Sequence, residues 1–362
     1  MRAILAGGGT GGHLVPAIAL ARALCARGDQ ASLLVAGRPV EGSFLGLAED
    51  IESVVLPLER GGKAGGPMGR AFGALRSVRA AGREMEGPPR ADIVVGFGGL
   101  ATVPAAFASG FANLPLVLHE ANAVPGRAVR LFARKALAVA CAFPDAAWTF
   151  PVTVKACTTG MPLDAAFAIL PSRATARAVF DLPSEGPCLL VVGGSQGARA
   201  LNTFVETHVR AWTGRGIHVL HAAGWPTDHD RPAGAAPSSG GGCWVRLPFI
   251  EDMAAAWSAS DVALCRGGAV TVAESAATAT PAVVIPYPHH KDRQQAKNAE
   301  CLGDGALVCE ETDLGDAWAD RIADLVTDER SRRPMVAVLE EIGRSDGTQA
   351  LLEIVDEALA GA

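Results

Sequence analysis

Two glycine-rich loops, each leaving an apolar strand, constrain this chain more than any other feature. The first is Ala6-Gly7-Gly8-Gly9-Thr10-Gly11-Gly12-His13, and the second is Val192-Gly193-Gly194-Ser195-Gln196-Gly197. A third segment, Cys265-Arg266-Gly267-Gly268-Ala269 running to Glu274, reads as another loop feeding a helix. Glycine lets the backbone approach a phosphate, and the N–H groups that open the next helix face the anion. A cradle in each half points to two similar domains with a diphosphate compound held across the cleft between them.

The surrounding pattern agrees. Strands are expected at 2–6, 31–36, 52–56, 91–95, 115–118 and 137–140, then at 188–192, 217–221, 243–246, 261–264, 282–285 and 306–308. Runs such as Leu33-Leu34-Val35 and Ile93-Val94-Val95 are continuous rather than alternating, as in parallel strands buried on both faces. Helices lie between them, one from about Pro16 to Arg27, ended by Gly28. The expected fold is α/β: two facing doubly wound Rossmann-like domains with an interdomain cleft. Residues 1–160 form the N-terminal domain, 161–345 the C-terminal one, and 346–362 a last helix that could pack back on the N-terminal domain. The stretch Gly224 to Gly242, rich in Gly, Pro, Ser and Asp, reads as a long mobile surface loop.

Composition narrows the class. With 362 residues, 49% hydrophobic and 19% charged, the chain can fill two ordinary cores. A net charge of -6 argues against a dedicated nucleic-acid binder. The eight cysteines show no CxxC spacing, so they read as reduced, mostly buried thiols of a cytosolic protein. The chain opens directly on a strand without a signal-peptide pattern, and no apolar run is long enough to span a bilayer. Membrane contact is therefore expected to be peripheral.

Gly7, Gly9 and Gly12 satisfy G-x-G-x-x-G, but a dinucleotide site also needs an acidic residue at the end of the second strand. That strand ends Val35-Ala36-Gly37-Arg38, which disfavours NAD. His13, in the first turn of the helix, is a candidate general base, or else a residue that caps the loop or touches ligand. Ser195 is suited to a phosphate, and Glu274 to a ribose diol. Gln294 and Gln295 both donate and accept, which suits sugar hydroxyls. His289 and His290 are adjacent on a loop, where neighbours point apart, so no metal is expected. Residues 67–85 place Met68, Phe72, Leu75 and Val78 at helical spacing, with Arg70, Arg76, Arg79 and Arg83 beside them. Such a helix either lies on an anionic leaflet or packs on the sheet with a solvated basic face.

Seven segments together resemble one family. They are Gly8-Gly9-Thr10-Gly11-Gly12-His13, Gly96-Phe97-Gly98-Gly99, His119-Glu120-Ala121-Asn122-Ala123-Val124-Pro125-Gly126, Gly193-Gly194-Ser195-Gln196-Gly197-Ala198, Phe249-Ile250-Glu251-Asp252-Met253, Arg266 through Glu274, and His290-Lys291-Asp292-Arg293-Gln294-Gln295. The chain is similar to the MurG family, the N-acetylglucosaminyltransferases that complete lipid II. The resemblance implies a GT-B fold and inverting transfer from UDP-N-acetylglucosamine to the 4-hydroxyl of the muramyl sugar in undecaprenyl-diphospho-MurNAc-pentapeptide. It implies that Ile250 meets the uracil, Glu274 the ribose, and Ser195 with Ala269, Val270, Thr271, Val272 and Ala273 the diphosphate and ribose region. Gln294 and Gln295 would read the sugar, while Thr10, Gly11, Gly12 and Asn122 would close the site from the N-terminal domain.

No cofactor or obligatory divalent cation is implied, because helix N-termini and backbone N–H groups can stabilise departing UDP. The implied partners are an anionic membrane surface at the cytoplasmic face and the cell-wall or division machinery. Two departures stand out. Asp164 replaces a usual Arg, for which Arg266 or Arg199 are candidate substitutes, and Ala121 replaces a frequent Gln. Rival readings are a glycolipid synthase with another acceptor such as diacylglycerol, a UDP-N-acetylglucosamine epimerase, and a non-catalytic nucleotide-sugar sensor.

Overall fold

A strand that is apolar at every position must be covered on both faces. The computed structural model does this twice. It describes the chain except for residues 59–65, 195–196, 225–234, 238–240, 291, 344–345 and 362, and gives the backbone alone for 66–71 and 235–237. The chain divides into two compact units, Met1–Ala165 with Asp346–Ala362, and Ala166–Ser345.

In the first unit, β1 (Arg2–Ala6), β2 (Gln30–Val35), β3 (Glu52–Val55), β4 (Ile93–Gly96), β5 (Leu116–Glu120), β6 (Ala138–Cys141) and β7 (Ala156–Thr158) form one parallel sheet. Its order is β3-β2-β1-β4-β5-β6-β7. The connections carry α1 (Gly11–Ala26), α2 (Glu41–Gly46), α3 (Gly66–Glu86), α4 (Gly99–Ala112), α5 (Arg127–Phe132) and α6 (Pro144–Trp148). Successive residues enter opposite cores. Ala3 and Leu5 join Leu33, Val35 and Val95 on one face, while Ile4 and Ala6 join Leu34, Val94 and Leu118 on the other.

The second unit repeats the plan with β8 (Cys188–Val192), β9 (His218–Ala222), β10 (Ala235–Pro237), β11 (Cys243–Leu247), β12 (Val262–Cys265), β13 (Ala282–Val284) and β14 (Ala306–Val308). The order is β10-β11-β9-β8-β12-β13-β14, parallel except for β10, which runs antiparallel to β11. Its helices are α7 (Arg173–Ala178), α8 (Arg199–Gly214), α9 (Met253–Ser258), α10 (Ala269–Ala277), α11 (Gln294–Glu300), α12 (Asp316–Thr327) and α13 (Glu329–Ile342). The last helix, α14 (Gly347–Ala360), packs on the first unit. Leu351, Leu352, Ile354, Val355 and Ala358 enter the core beside α1, and Arg27 grips Asp356 with two bonds of 2.8 Å.

Three details depart from the sequence reading. Helix α1 begins at Gly11 rather than near Pro16, with Thr10 extended at its N-cap, so both glycines and His13 are helical. Strands β7 (Ala156-Cys157-Thr158) and β10 (Ala235-Ala236-Pro237), which the sequence reading did not include, are short and built from small, polar or Pro residues. Strand β10 also lies inside the stretch Gly224 to Gly242, which is therefore not loop throughout; most of that stretch falls outside the described residues.

Arg177 is fully buried and knits α7 to its surroundings. Its guanidinium donates to the carbonyls of Ala259 (3.1 Å), Pro183 (3.1 Å), Ser184 (3.0 Å) and Gly186 (2.6 Å). Arg177→Met keeps the stem but orphans all of these acceptors. Urea unfolding of the second unit, followed by tryptophan fluorescence, should show a loss of about 3 kcal/mol.

Candidate functional site

Where the strand order of a doubly wound sheet reverses, neighbouring loops diverge and leave a crevice at the carboxyl ends of the strands. In the first unit this point lies between β1 and β4. The loop after β1 leads into α1, so His13 sits in the first helical turn. Its Nδ1 lies 3.3 Å from Gly8 O and 3.2 Å from Thr10 Oγ1. A carbonyl can only accept, so this contact favours a proton on Nδ1 and leaves Nε2 as an acceptor. Burial holds the His13 pKa below the usual imidazole value, against the pull of the Gly8 carbonyl. The ring is therefore neutral at pH 7. Gly99, at φ +73°, makes room for it. A Cβ there would lie 2.1 Å from Gly8 O and 2.9 Å from His13 Nδ1.

Two buried carboxylates shape the loops around His13. Glu41 accepts from Gly9 N, Ala36 N (3.3 Å) and Arg38 N (2.9 Å). This corrects the sequence reading in one respect. The Gly9 N–H serves a carboxylate of the chain itself, so the loop is not an open phosphate cradle along its whole length. What remains for a ligand is Thr10, which is exposed, with Gly11 and Gly12 at the start of α1. Glu120 accepts from Asn122 N (2.9 Å), Asn122 Nδ2 (3.3 Å) and Gly126 N (2.7 Å). Burial raises its pKa, and these donors pull it back. Asn122 is thus fixed at the end of β5, while the neighbouring Ala121 is buried. Also buried there is His119, whose pKa burial pushes down to about 3.

In the second unit the order reverses between β8 and β12. Ser195 and Gln196 lie outside the described residues. Beside them Gly197 N donates to Gly194 O at 2.9 Å. Asn202 braces the start of α8, donating to Ala223 O at 2.7 Å and meeting His221 Nε2 at 3.0 Å. After β12, the loop of Arg266–Gly268 opens α10. Ala269, Val272 and Glu274 are buried, and Val270, Thr271 and Ala273 half-buried. Glu274 is 6% exposed, and its Oε2 accepts the indole N–H of the fully buried Trp257 at 3.0 Å. Burial pushes the Glu274 carboxyl up to about 7, against the pull of that donor. Ile250 is buried just before Asp252, whose carboxylate caps α9 through Ala255 N at 2.8 Å. Gln294 opens α11 and is half-buried.

Two expectations need correction. The Arg266 guanidinium is committed to Ile285 O (3.1 Å), Pro286 O (3.3 Å) and Glu311, so it does not replace the missing arginine. Gln295 spends its side-chain carbonyl on Tyr287 N at 2.8 Å, holding the turn after β13, which leaves only its amide NH2 for a sugar. Arg199 remains exposed at the first position of α8. Asp164 pairs with Arg22 at 2.7 Å inside the first unit, where Arg22 also meets Asp50 at 3.3 Å.

The chain matches known proteins in both units. Residues 3–141 match the glycosyltransferase family 28 N-terminal domain, and residues 188–341 the family 28 C-terminal domain. Curated relatives from Rhodococcus jostii (strain RHA1) and Acidothermus cellulolyticus are each 37% identical to it. They cover 94% and 99% of this chain, which spans 90% and 98% of theirs. Both carry the name UDP-N-acetylglucosamine--N-acetylmuramyl-(pentapeptide) pyrophosphoryl-undecaprenol N-acetylglucosamine transferase. The crystal structure of Acinetobacter baumannii MurG superposes with a TM-score of 0.73 at 26% identity, over 98% of this chain and 99% of that one. The chain belongs to the MurG family. It has the family's GT-B fold of two Rossmann-like domains.

Sequence reasoning assigned no role to Glu41, Glu120, Trp257 or Asn202. Glu120 and Glu41 carried a local signal, since Glu120 accepts from N–H groups two and six residues away and Glu41 from N–H groups three and five residues away.

The Glu274 carboxyl generates a stability prediction. Its pKa rises from 4.5 to about 7 on folding, so ionisation opposes folding. The penalty is absent below pH 4.5, grows as pH rises toward 7, and is complete above that. Glu274→Gln keeps an acceptor for Trp257 and removes the penalty. At pH 8 the ligand-free variant should be up to about 3 kcal/mol more stable than the parent, with little difference near pH 4.5. Denaturant unfolding at both pH values checks this, and a pH-independent difference would contradict it.

Proposed function

We infer that the chain transfers N-acetylglucosamine from UDP-N-acetylglucosamine to the 4-hydroxyl of the muramyl sugar in undecaprenyl-diphospho-MurNAc-pentapeptide, with inversion. This is the step from lipid I to lipid II in peptidoglycan synthesis. One observation carries the reading beyond family membership. Glu274 is a buried carboxylate at the switch point of the second unit, on a helix whose second and third residues, Val270 and Thr271, are half-buried, and one of its oxygens is held by Trp257. That combination suits a nucleoside diol followed by a diphosphate.

On the donor side, Glu274 takes the ribose and Ile250 the uracil. The N–H groups of Ala269, Val270 and Thr271, with Ser195, take the diphosphate, Val272 N being spent on Gly268 O at 2.9 Å, and Gln294 reads the sugar. On the acceptor side, Thr10, Gly11, Gly12 and Asn122 contact the muramyl lipid. His13 Nε2 accepts the proton of the attacking 4-hydroxyl. The oxygen then bonds to the anomeric carbon as the bond to UDP breaks, and the departing charge falls on neutral N–H donors. We propose that no divalent cation is obligatory.

The protein is proposed to work on the cytoplasmic membrane face without crossing it. No helix among the described residues is long and apolar enough to span a bilayer. The core face of α3 is Ser77, Ala81 and Met85, with Val78 half-buried. Phe72 and Leu75 are instead exposed, with Arg76, Arg79 and Arg83, and the side chains of Met68 and Arg70 lie outside the described residues. Helix α4 packs on α3 and adds Phe111, which is 80% exposed, and Phe107. Exposed aromatic side chains and arginines on two packed helices suit an anionic leaflet. Contact with cell-wall or division machinery is proposed from the family alone.

The deciding assay measures UDP release with and without the lipid-linked muramyl-pentapeptide, with mass analysis of the lipid. Release should depend on the acceptor, add one N-acetylhexosamine, and persist in chelator. A free sugar product, or UDP binding without transfer, would contradict the reading. His13→Ala should lower turnover by about 100-fold or more while leaving UDP affinity nearly unchanged. In vesicle co-sedimentation, the triple variant Arg76→Ala, Arg79→Ala, Arg83→Ala should lose binding to anionic but not neutral vesicles.

A further inference from the structure

Glu274 has one defined hydrogen-bond donor, and that donor comes from a different helix. The Trp257 indole N–H meets Oε2 at 3.0 Å, and neither side chain has appreciable access to water. Oε1 has no partner among the described residues. An indole N–H cannot accept or rotate away from its ring plane, so it holds one oxygen of the carboxyl in place. Helix α9 is itself set by the Asp252 cap at its first turn. The Thr278 hydroxyl, donating to Glu274 O at 2.9 Å, secures the backbone of α10.

We propose that Trp257 is a positioning residue for the donor site, its N–H holding Oε2 so that Oε1 accepts the ribose diol of the nucleoside diphosphate. The proposal rests on the reading of Glu274 as the ribose-binding group. The indole also favours the charged carboxyl, which burial would otherwise neutralise. Among the described residues, no other group offers that help. The Cys265 thiol on β12 is pushed up to about 12 by burial and stays neutral. On α13, Arg332 is engaged with Asp261 and Arg333 with Glu329, and on α11 Lys297 is engaged with Glu300. On α9 and its cap, Asp252 is spent on Ala255 N.

The test uses the full chain and two probes, UDP and 2′,3′-dideoxy-UDP, in calorimetric titrations from acid to mildly alkaline pH. The parent should prefer UDP, with the preference fading as pH falls. Trp257→Phe should weaken UDP binding about tenfold, change dideoxy-UDP binding by less than about twofold, and move the acid limb to higher pH. Glu274→Gln should abolish the preference.

If the parent itself does not distinguish the two nucleotides, the ribose reading of Glu274 fails and the proposal with it. If Glu274→Gln loses the preference while Trp257→Phe keeps both preference and limb, the ribose reading stands and the proposal is overturned. Should Trp257→Phe not fold, 15N-tryptophan spectra of the parent decide. Of the six tryptophans, one indole N–H signal should shift in step with the acid limb and stop shifting in Glu274→Gln. Absence of such a signal overturns the proposal.

Discussion

A carboxylate buried at the carboxyl edge of a parallel sheet must find N–H donors, because water cannot reach it and an unpaired charge there costs several kcal/mol. Three glutamates occupy such positions, and their donor counts differ. Glu41 has three backbone N–H donors and Glu120 has two, with the Asn122 amide as a third. Glu274 has one indole. The first two are clamps that turn a flexible loop into a fixed one. The third has a single donor to oppose burial, which pushes its carboxyl up to about 7, and a ribose diol is the ligand proposed to complete it. One residue type, at the start of a helix, the end of a strand and the middle of a helix, is a loop clamp or a proposed ligand group according to how many donors the chain provides.

The sheet order sets where those carboxylates can act. Both sheets reverse direction beside the strand that carries a glycine loop, β1 in one unit and β8 in the other. Two loops therefore part at each reversal, and residues distant in sequence meet there. Helix α14 shows the complementary principle at the back of the first unit. Its apolar face finishes a core that α1 leaves incomplete, and the Arg27–Asp356 pair fixes its orientation.

What the sequence revealed follows the range of the interaction. Strands buried on both faces announced themselves as continuous apolar runs, because each residue faces a core. Strands β7 (Ala156-Cys157-Thr158) and β10 (Ala235-Ala236-Pro237) could not, since neither contains a run of large apolar residues. The glycine loops and Glu274 were legible from local order. The partners that define their chemistry were not: Glu41 lies 32 residues from Gly9, Trp257 lies 17 from Glu274, and Glu311 lies 45 from Arg266. No spacing rule connects such pairs, and Arg266 looked free for a phosphate only because its competitor was invisible in one dimension.

The fate of the charges bears on how the proposed donor side works. Arg266 is neutralised by Glu311, and Asp164 shares Arg22 with Asp50. Among the described residues of the second unit, the proposed diphosphate region thus has Arg199 as an exposed cation and, beyond that, the N–H groups opening α8 and α10. Each helix end contributes roughly half a positive charge. Such dipoles are weak in water and grow stronger as the surroundings become less polar. The buried Ala269, Val272 and Ile250 supply apolar surroundings of that kind. A site built from dipoles in a dry pocket is preorganised: its donors are fixed by the helix before any charge develops on the leaving group. A mobile arginine would instead have to be ordered at that moment, at an entropic cost.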